Sequence, residues 1–400
     1  MFLKNELKKI VLKNQEYLKK DLGIIRDFNL KIINKFVTII SGIRRCGKST
    51  LVKQSLKGKK PIYYINFEDI SLAEFELKDF IQLEKIFIET LGKNGIFFFD
   101  EIQNIKKWEN YIRNLVDRNE KVIITGSNAN MLSKELGTKL TGRHITQELF
   151  TFSYNEFLKL KNKKHNMNLF KEYLRKGGFP EYLKSDDDII LKNLFQDIFY
   201  RDILQRNEIR SETQIKSLLY YLISNIGKEV SYNKLKNLIN VGSTNTIIQF
   251  MNHFKQSYLV FGLKKYDFSV KKQLINPKKI YCIDNGIIVL NSFSFSENIG
   301  RLLENLIFIE LKRKGHEIYY HKQKKECDFL IKERLKITSA IQVCYILNDE
   351  NKKREIDGLI DAMKNYNLNS GLILTYEQED ELIIDNKKIS IKPVWKWLLE

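Results

Sequence analysis

The stretch Ser41-Gly42-Ile43-Arg44-Arg45-Cys46-Gly47-Lys48-Ser49-Thr50 decides how the first part of the chain folds. It fits the pattern G-x-x-x-x-G-K-[ST], with the apolar run Phe36-Val37-Thr38-Ile39-Ile40 in front and a helix-compatible segment behind. A phosphate requires these residue types. Glycines let the backbone curl until successive N–H groups converge on one anion. The N-terminus of the next helix adds its dipole. Lys48 supplies a point charge for β- and γ-phosphates, and Ser49 a hydroxyl ligand for Mg²⁺. The candidate nucleotide-binding residues are Gly42, Ile43, Arg44, Arg45, Cys46, Gly47, Lys48, Ser49 and Thr50. The plainer reading is a surface glycine turn beside an ordinary lysine. Average composition gives the pattern in roughly one chain in a hundred of this length, and the strand–loop–helix setting favours the phosphate loop.

Working outward, Ile96-Phe97-Phe98-Phe99-Asp100-Glu101 reads as a buried strand delivering two carboxylates at its C-terminal tip. Ligands bind at such tips in open α/β sheets. Asp100 is expected to hold Mg²⁺ with Ser49, directly or through water. Glu101 is expected to polarise the attacking water as general base. A strand ending in acids is common in itself; its place after the phosphate loop gives it meaning. A third strand ends Thr125-Gly126-Ser127-Asn128, where Ser127 and Asn128 either sense the γ-phosphate or form a plain turn. Gly142-Arg143 lies beyond it. Arg143 reads either as a catalytic arginine completing a neighbouring copy's site in trans, or as a solvated charge.

The chain has 400 residues, room for two to four domains at roughly 100–200 residues each. With 43 % hydrophobic residues it can build packed cores, and four prolines with 19 glycines exclude collagen and Pro/Gly-rich disorder. Four cysteines without a CxxC pair exclude a disulfide scaffold and a zinc finger. The histidines add no metal-binding pattern. A reduced, cytoplasmic compartment is expected. The start Met1-Phe2-Leu3-Lys4-Asn5-Glu6 lacks a secretory apolar core, and no apolar run reaches the roughly 18–20 residues of a membrane helix, so no membrane association is expected. Lys plus Arg number 68 against 49 Asp plus Glu, a net +19 that favours nucleic acid or another anionic partner. A lysine-rich proteome alone also produces basic chains.

Residues 1–30 read as an N-terminal basic helix with Leu3, Leu7, Ile10 and Val11 at helical spacing. Residues 31–150 alternate apolar runs with helical segments, which indicates a parallel sheet covered on both faces, the P-loop ATPase core. Residues 151–190 read as a helical lid or linker that turns at Gly177-Gly178-Phe179-Pro180. Residues 191–290 are mostly helical with strands near the end, and residues 291–400 alternate strands and helices.

Gly42–Thr50, Asn66-Phe67-Glu68-Asp69, Phe99-Asp100-Glu101-Ile102-Gln103, Thr125-Gly126-Ser127-Asn128 and Leu140-Thr141-Gly142-Arg143 together resemble the AAA-type ATPases of bacteria and archaea. The chain is most similar to the group whose C-terminal half is the domain of unknown function DUF4143. Gly177-Gly178-Phe179-Pro180-Glu181 and Tyr200-Arg201-Asp202-Ile203 share in that resemblance, which covers nearly the whole chain. It implies ATP and Mg²⁺ as cofactors.

Ser231–Asn240 and Ser243–Tyr258 read as helices joined by a short turn, capped by Ser231 and Ser243. A strand pair bearing Lys264, Lys265, Lys271 and Lys272 follows. Helix–turn–helix plus a basic hairpin is a winged-helix pattern, as the resemblance also implies. Asn245, Thr246 and Gln249 would then reach base edges, and Lys264, Lys271 and Lys272 phosphates. Winged helices also serve as protein-interaction modules.

The element order from 291 onward resembles a restriction-endonuclease-like α/β fold, whose signature is an acidic residue, then Asp, then [E/Q]-x-K. Glu304, Asp328 and Gln342 match the carboxylate and glutamine positions, while Cys344 stands where lysine is expected. A thiol supplies no positive charge and is a poor ligand for Mg²⁺. Lys322, Lys332 or Lys336 are the substitutes at hand. The site reads as degenerate. Taken together, the sequence points to a Mg²⁺-dependent ATPase coupling turnover to nucleic acid or to a protein partner, and to a homo-oligomer if Arg143 completes a neighbour's site. The alternatives are a nucleotide-switched binding protein with little hydrolysis, and an ATP-gated nuclease.

Overall fold

The apolar runs become four strands of one sheet, because each is long enough to cross a core and is nearly free of charge. The computed structural model describes residues 2–20, 22–59, 61–127, 142–209, 211–292 and 298–400. The chain divides into two compact units, Met1–Phe150 and Thr151–Glu400.

In the first unit β1 (Val37–Ser41), β2 (Ile62–Asn66), β3 (Ile96–Asp100), β4 (Lys121–Gly126) and β5 (His144–Glu148) form a parallel sheet in the order β2-β3-β4-β1-β5. Parallel strands need crossovers, so every C-terminal tip lies on one edge of the sheet. Helices α1 (Lys4–Leu18), α2 (Lys48–Leu56), α3 (Phe80–Leu91) and α4 (Trp108–Asp117) accompany it. Aromatic rings dominate the core, with Phe80 stacked on Tyr111 at 4.3 Å between centroids. Leu7 and Val11 of α1 are fully buried in the same cluster as Val37 and Phe99. Gln15 donates to the Ile62 carbonyl at 3.1 Å. The N-terminal helix is thus built into this unit and does not stand apart from it.

The second unit begins with helices between Tyr154 and Ser224. A small antiparallel sheet follows, made of β6 (Glu229–Val230), β7 (Val260–Lys264) and β8 (Lys278–Cys282) in the order β6-β8-β7. Helices Tyr232–Leu238 and Thr244–Gln256 lie between β6 and β7 in the chain. The connection from β7 to β8 contains the short helix Val270–Ile275. Lys271 and Lys272 therefore sit on a helical turn, not on a plain hairpin, because Ser269 caps the turn by accepting from the Lys272 N–H.

A six-stranded mixed sheet completes the unit: β9 (Glu317–Lys322), β10 (Glu326–Glu333), β11 (Lys336–Val343), β12 (Ser370–Thr375), β13 (Asp380–Ile384) and β14 (Lys387–Pro393). Their order is β13-β14-β12-β11-β10-β9. Helix Lys352–Asn365 buries Ile356, Leu359, Ile360 and Met363 against it.

The turn at Gly177-Gly178 has a stereochemical cause. The buried Asp284 carboxylate accepts from the Gly178 N–H at 2.7 Å, the Thr151 hydroxyl at 3.0 Å and the Gly286 N–H at 2.9 Å. Gly177 has φ +71°, and a Cβ there would stand 1.8 Å from Asp284 Oδ1. A Cβ on Gly178 would stand 2.2 Å from the Phe152 carbonyl oxygen, which is backbone and cannot swing aside. Gly178→Ala is expected to destabilise the second unit by at least about 2 kcal/mol, read as a lowered urea midpoint by intrinsic fluorescence. An unchanged midpoint would show that this close approach carries no stability.

Candidate functional site

The phosphate loop leaves the tip of β1. Gly42 has φ +156°, and a Cβ there would lie 2.2 Å from the Leu149 carbonyl oxygen, so only glycine fits. Gly47, at φ +99°, turns the chain into α2, which starts at Lys48. The Lys48 ammonium is buried and lies inside the loop. It donates to the carbonyls of Gly42 at 3.1 Å and Ile43 at 3.2 Å, and stands 3.5 Å from Glu101 Oε1. Burial pulls it toward neutrality, yet Glu101 beside it reverses the balance, and its pKa ends above the usual lysine value. Ile43 and Cys46 are fully buried. Arg44 pairs with Glu68 at 2.8 Å, Arg45 is exposed, and Ser49 and Thr50 are half-buried.

Asp100 is buried at the tip of β3. Its Oδ1 accepts from the Thr125 hydroxyl and its Oδ2 from Tyr64 at 3.2 Å, and Ser49 also hydrogen-bonds it. Burial first, and then the charge of Glu101, push the Asp100 carboxyl up, while these hydroxyls and Lys48 pull it partly back. Glu101 adopts the left-handed conformation at φ +52°, an uncommon one for glutamate. Its N–H is fixed on Thr125 Oγ1 at 3.0 Å, and its carboxylate accepts from Gln103.

The residues present suit ATP with Mg²⁺. Ser49 and Asp100 offer hard oxygens side by side. Ser127, at the end of β4, keeps a buried hydroxyl with no hydrogen-bond partner among the described residues. A buried orphan of this kind suits a group that meets a phosphate oxygen. Asn128, Leu140 and Thr141 lie outside the described residues.

Arg143 is not brought to this site. It precedes β5, whose first residue pairs with Val37, so it lies at the opposite edge of the sheet. At about 3.3 Å per residue along β1, that is roughly 16 Å from the tips. Its guanidinium pairs with Asp117 at 2.7 Å.

Arg26, which no motif marks, does reach the site. Its buried guanidinium donates to the Cys46 carbonyl at 2.7 Å and the Phe150 carbonyl at 2.8 Å, tying the loop to the chain beyond β5. Thr125, in the sequence only part of a strand end, donates to the Asp100 carboxylate and accepts from the Glu101 N–H. A polar residue inside an apolar strand was the available signal.

The second unit brings Glu304 and Asp328 together, but around a lysine. Lys279 Nζ lies 2.8 Å from Asp328 Oδ1 and 3.4 Å from Glu304 Oε1. Burial favours a neutral amine, but Asp328 and Glu304 hold its pKa well above the usual value. Gln342 is turned to other work: its Oε1 accepts from the Asp328 N–H at 3.2 Å, and its Nε2 donates to Glu355 at 2.6 Å. Cys344 is buried, and burial pushes its thiol up to about 12. Of the substitutes the sequence offered, Lys322 pairs with Glu229 and Glu326, and Lys332 with Glu317. No group of three or more His, Cys, Asp or Glu with metal-holding geometry occurs among the described residues. No helix among them is long and apolar enough to cross a membrane.

A β2-β3-β4-β1-β5 sheet with a glycine loop after β1 and paired acids after β3 defines a P-loop, nucleotide-binding protein. Comparison with known families agrees: an AAA domain matches residues 34–158. A domain of unknown function, DUF8612, matches residues 167–295, where the sequence resemblance had pointed to DUF4143. The chain is 37 % identical to the uncharacterized protein MJ1544 of Methanocaldococcus jannaschii, over 98 % of this chain and 94 % of that protein. It is 30 % identical to an uncharacterized protein of Haemophilus influenzae, over 91 % and 94 % respectively. It belongs to this family of archaeal and bacterial proteins, in which an AAA domain is followed by DUF8612.

Lys48→Ala removes the buried ammonium of the loop. A bond to a charged group is worth about 1.5–3 kcal/mol, so ATP affinity is expected to fall at least about tenfold by titration calorimetry. Unchanged affinity in a folded variant would place the phosphates elsewhere.

Proposed function

We propose that this protein is a Mg²⁺-dependent ATPase that couples turnover to nucleic-acid binding by its C-terminal half. The constellation of Lys48, Asp100, Glu101 and Thr125 carries the reading. A protein that only bound nucleotide would need the loop but not a second carboxylate held in a left-handed turn beside it. Mg²⁺ on Ser49 and Asp100 would neutralise phosphate charge. Lys48 would exchange the Gly42 and Ile43 carbonyls for phosphate oxygens. Glu101 would take the proton of the attacking water, and Ser127 would meet the γ-phosphate. Arg143, on the far edge of the sheet, would act on the nucleotide of another copy. Phosphate release with Mg²⁺ tests the hydrolysis. Glu101→Gln should keep ATP binding and lose about 100-fold in turnover, the usual size of a general-base contribution. Loss of binding together with turnover would make Glu101 a structural residue.

The nucleic-acid step rests on a small basic module. Its order of helix, short strand, two helices, strand, basic connection and strand suits a winged helix. Asn245 and Gln249 are exposed on helix Thr244–Gln256, as are Lys264, Lys271 and Lys272 nearby in the chain. DNA binding should weaken steeply with salt, and Lys271→Ala with Lys272→Ala should flatten the log–log slope by up to about 2.

One observation favours a protein partner instead. Phe268 is 81 % exposed, and Val270, Leu274 and Ile275 are exposed beside it in the chain. Clustered exposed apolar residues mark protein surfaces that are covered in use. Absence of DNA binding at low salt would select this second reading. The strand order β9-β10-β11-β12 with helix Lys352–Asn365 supports a restriction-endonuclease-like ancestry. Cys344 and the lysine among the carboxylates leave the nuclease reading without support.

A further inference from the structure

A glycine at the end of a phosphate loop bends freely, and the same freedom lets its peptide turn over. Gly47, at φ +99°, joins Cys46 to α2. A peptide unit is planar and trans, so the Cys46 carbonyl and the Gly47 N–H point in opposite directions. An anion in the loop needs that N–H turned toward it. Rotating the Cys46–Gly47 unit would turn a carbonyl oxygen toward the phosphates instead. Glycine itself has no strong preference between the two, so a neighbour has to choose.

Arg26 is placed to do so. One arm of its buried guanidinium donates to the Cys46 carbonyl at 2.7 Å, and the other to the Phe150 carbonyl at 2.8 Å. The fork is planar and rigid, so fixing one arm fixes the other. The first arm also stands 3.3 Å from where a Cβ on Gly47 would lie, so it fills that side of the glycine. Both supports are themselves held. Beside Phe150, the Leu149 N–H donates to the Ser41 carbonyl at 2.8 Å. The Arg26 N–H donates to Gln54 Oε1 at 3.2 Å, and Gln54 Nε2 donates to the carbonyls of Leu22 at 2.9 Å and Ile24 at 2.7 Å. Gln54 belongs to α2, the helix that the loop feeds. Residues 22–26 are thus strapped to α2, and their arginine reaches back to the loop. We propose that Arg26 is a positioning residue that locks the Cys46–Gly47 peptide with its N–H toward the bound phosphates. It acts through the backbone and needs no contact with the nucleotide. The proposal rests on ATP binding at the phosphate loop, and not on hydrolysis.

Titration of the full, nucleotide-free chain with ATP and Mg²⁺, followed by calorimetry and by glycine-selective amide NMR, tests this. In wild type the Gly47 amide proton should move strongly downfield as ATP saturates the loop. Arg26→Ala should bind ATP at least about tenfold more weakly, the order of a lost hydrogen bond to a charged group. It should also lack the Gly47 shift at saturating ATP. Arg26→Lys keeps the charge but not the fork, and should stay closer to Arg26→Ala than to wild type. A folded Arg26→Ala with wild-type affinity would overturn the proposal. So would a weakened Arg26→Ala that keeps the Gly47 shift, because the arginine would then support the fold without setting the peptide. Both results leave ATP binding by the wild type standing, whereas a wild type that binds no ATP would overturn the nucleotide reading and this proposal with it. Should Arg26→Ala not fold, Arg26→Lys is read by the same two measures: a lost shift with weakened binding supports the lock, and a retained shift overturns it.

Discussion

A carboxylate buried among hydroxyl groups is the constraint on which the nucleotide end of this molecule depends. Asp100 is 2 % exposed, and its charge is met by hydroxyl groups of Ser49, Tyr64 and Thr125. Hydroxyls satisfy the oxygens without cancelling the charge. The negative field therefore stays available to Lys48 and to a cation. An arginine in the same place would have closed the site. The three donors come from the helix after β1, from β2 and from β4, so one side chain on β3 gathers the elements that flank it in the β2-β3-β4-β1 order.

The second unit meets the same physical problem in two other ways. Asp284 is answered by backbone N–H groups and a hydroxyl, which is why its neighbours must be glycines. Asp328 is answered by Lys279, a full opposite charge. A buried carboxylate met by hydroxyls keeps its charge, and one met by an opposite charge makes a fastening. By that measure the carboxylates around Lys279 serve as a fastening within the second unit.

The phosphate loop, the acids at the tip of β3 and the apolar runs of the parallel sheet were legible because they are local patterns, each read within about ten residues. The strands around Asp328 and the helix over 352–365 were legible for the same reason. The partners of the buried charges were not. Arg26 is twenty residues from Cys46, and Lys279 is 49 residues from Asp328. Neither belongs to a motif, so only the fold brings them together. Lys279 left one faint mark: Lys278-Lys279-Ile280-Tyr281-Cys282 reads as a strand with a charge inside it. Such a conflict between pattern and polarity signals a missing partner. The basic connection after β7 was placed correctly in the chain, but its helical turn depends on the Ser269 cap, a signal that a strand-pair pattern hides.

The position of Arg143 follows from topology and not from its own chemistry. In a parallel sheet all strands point the same way, so a residue before β5 and a residue after β1 lie on opposite edges. No side-chain rotation moves a guanidinium from one edge to the other. Its partner on the near edge, Asp117, ends the helix that leads into β4 and so lies on that edge too. The pair is half-exposed, and an ion pair of that kind is worth little to stability, so its guanidinium can be released at small cost. Arg143 therefore does not reach the nucleotide loop of its own copy.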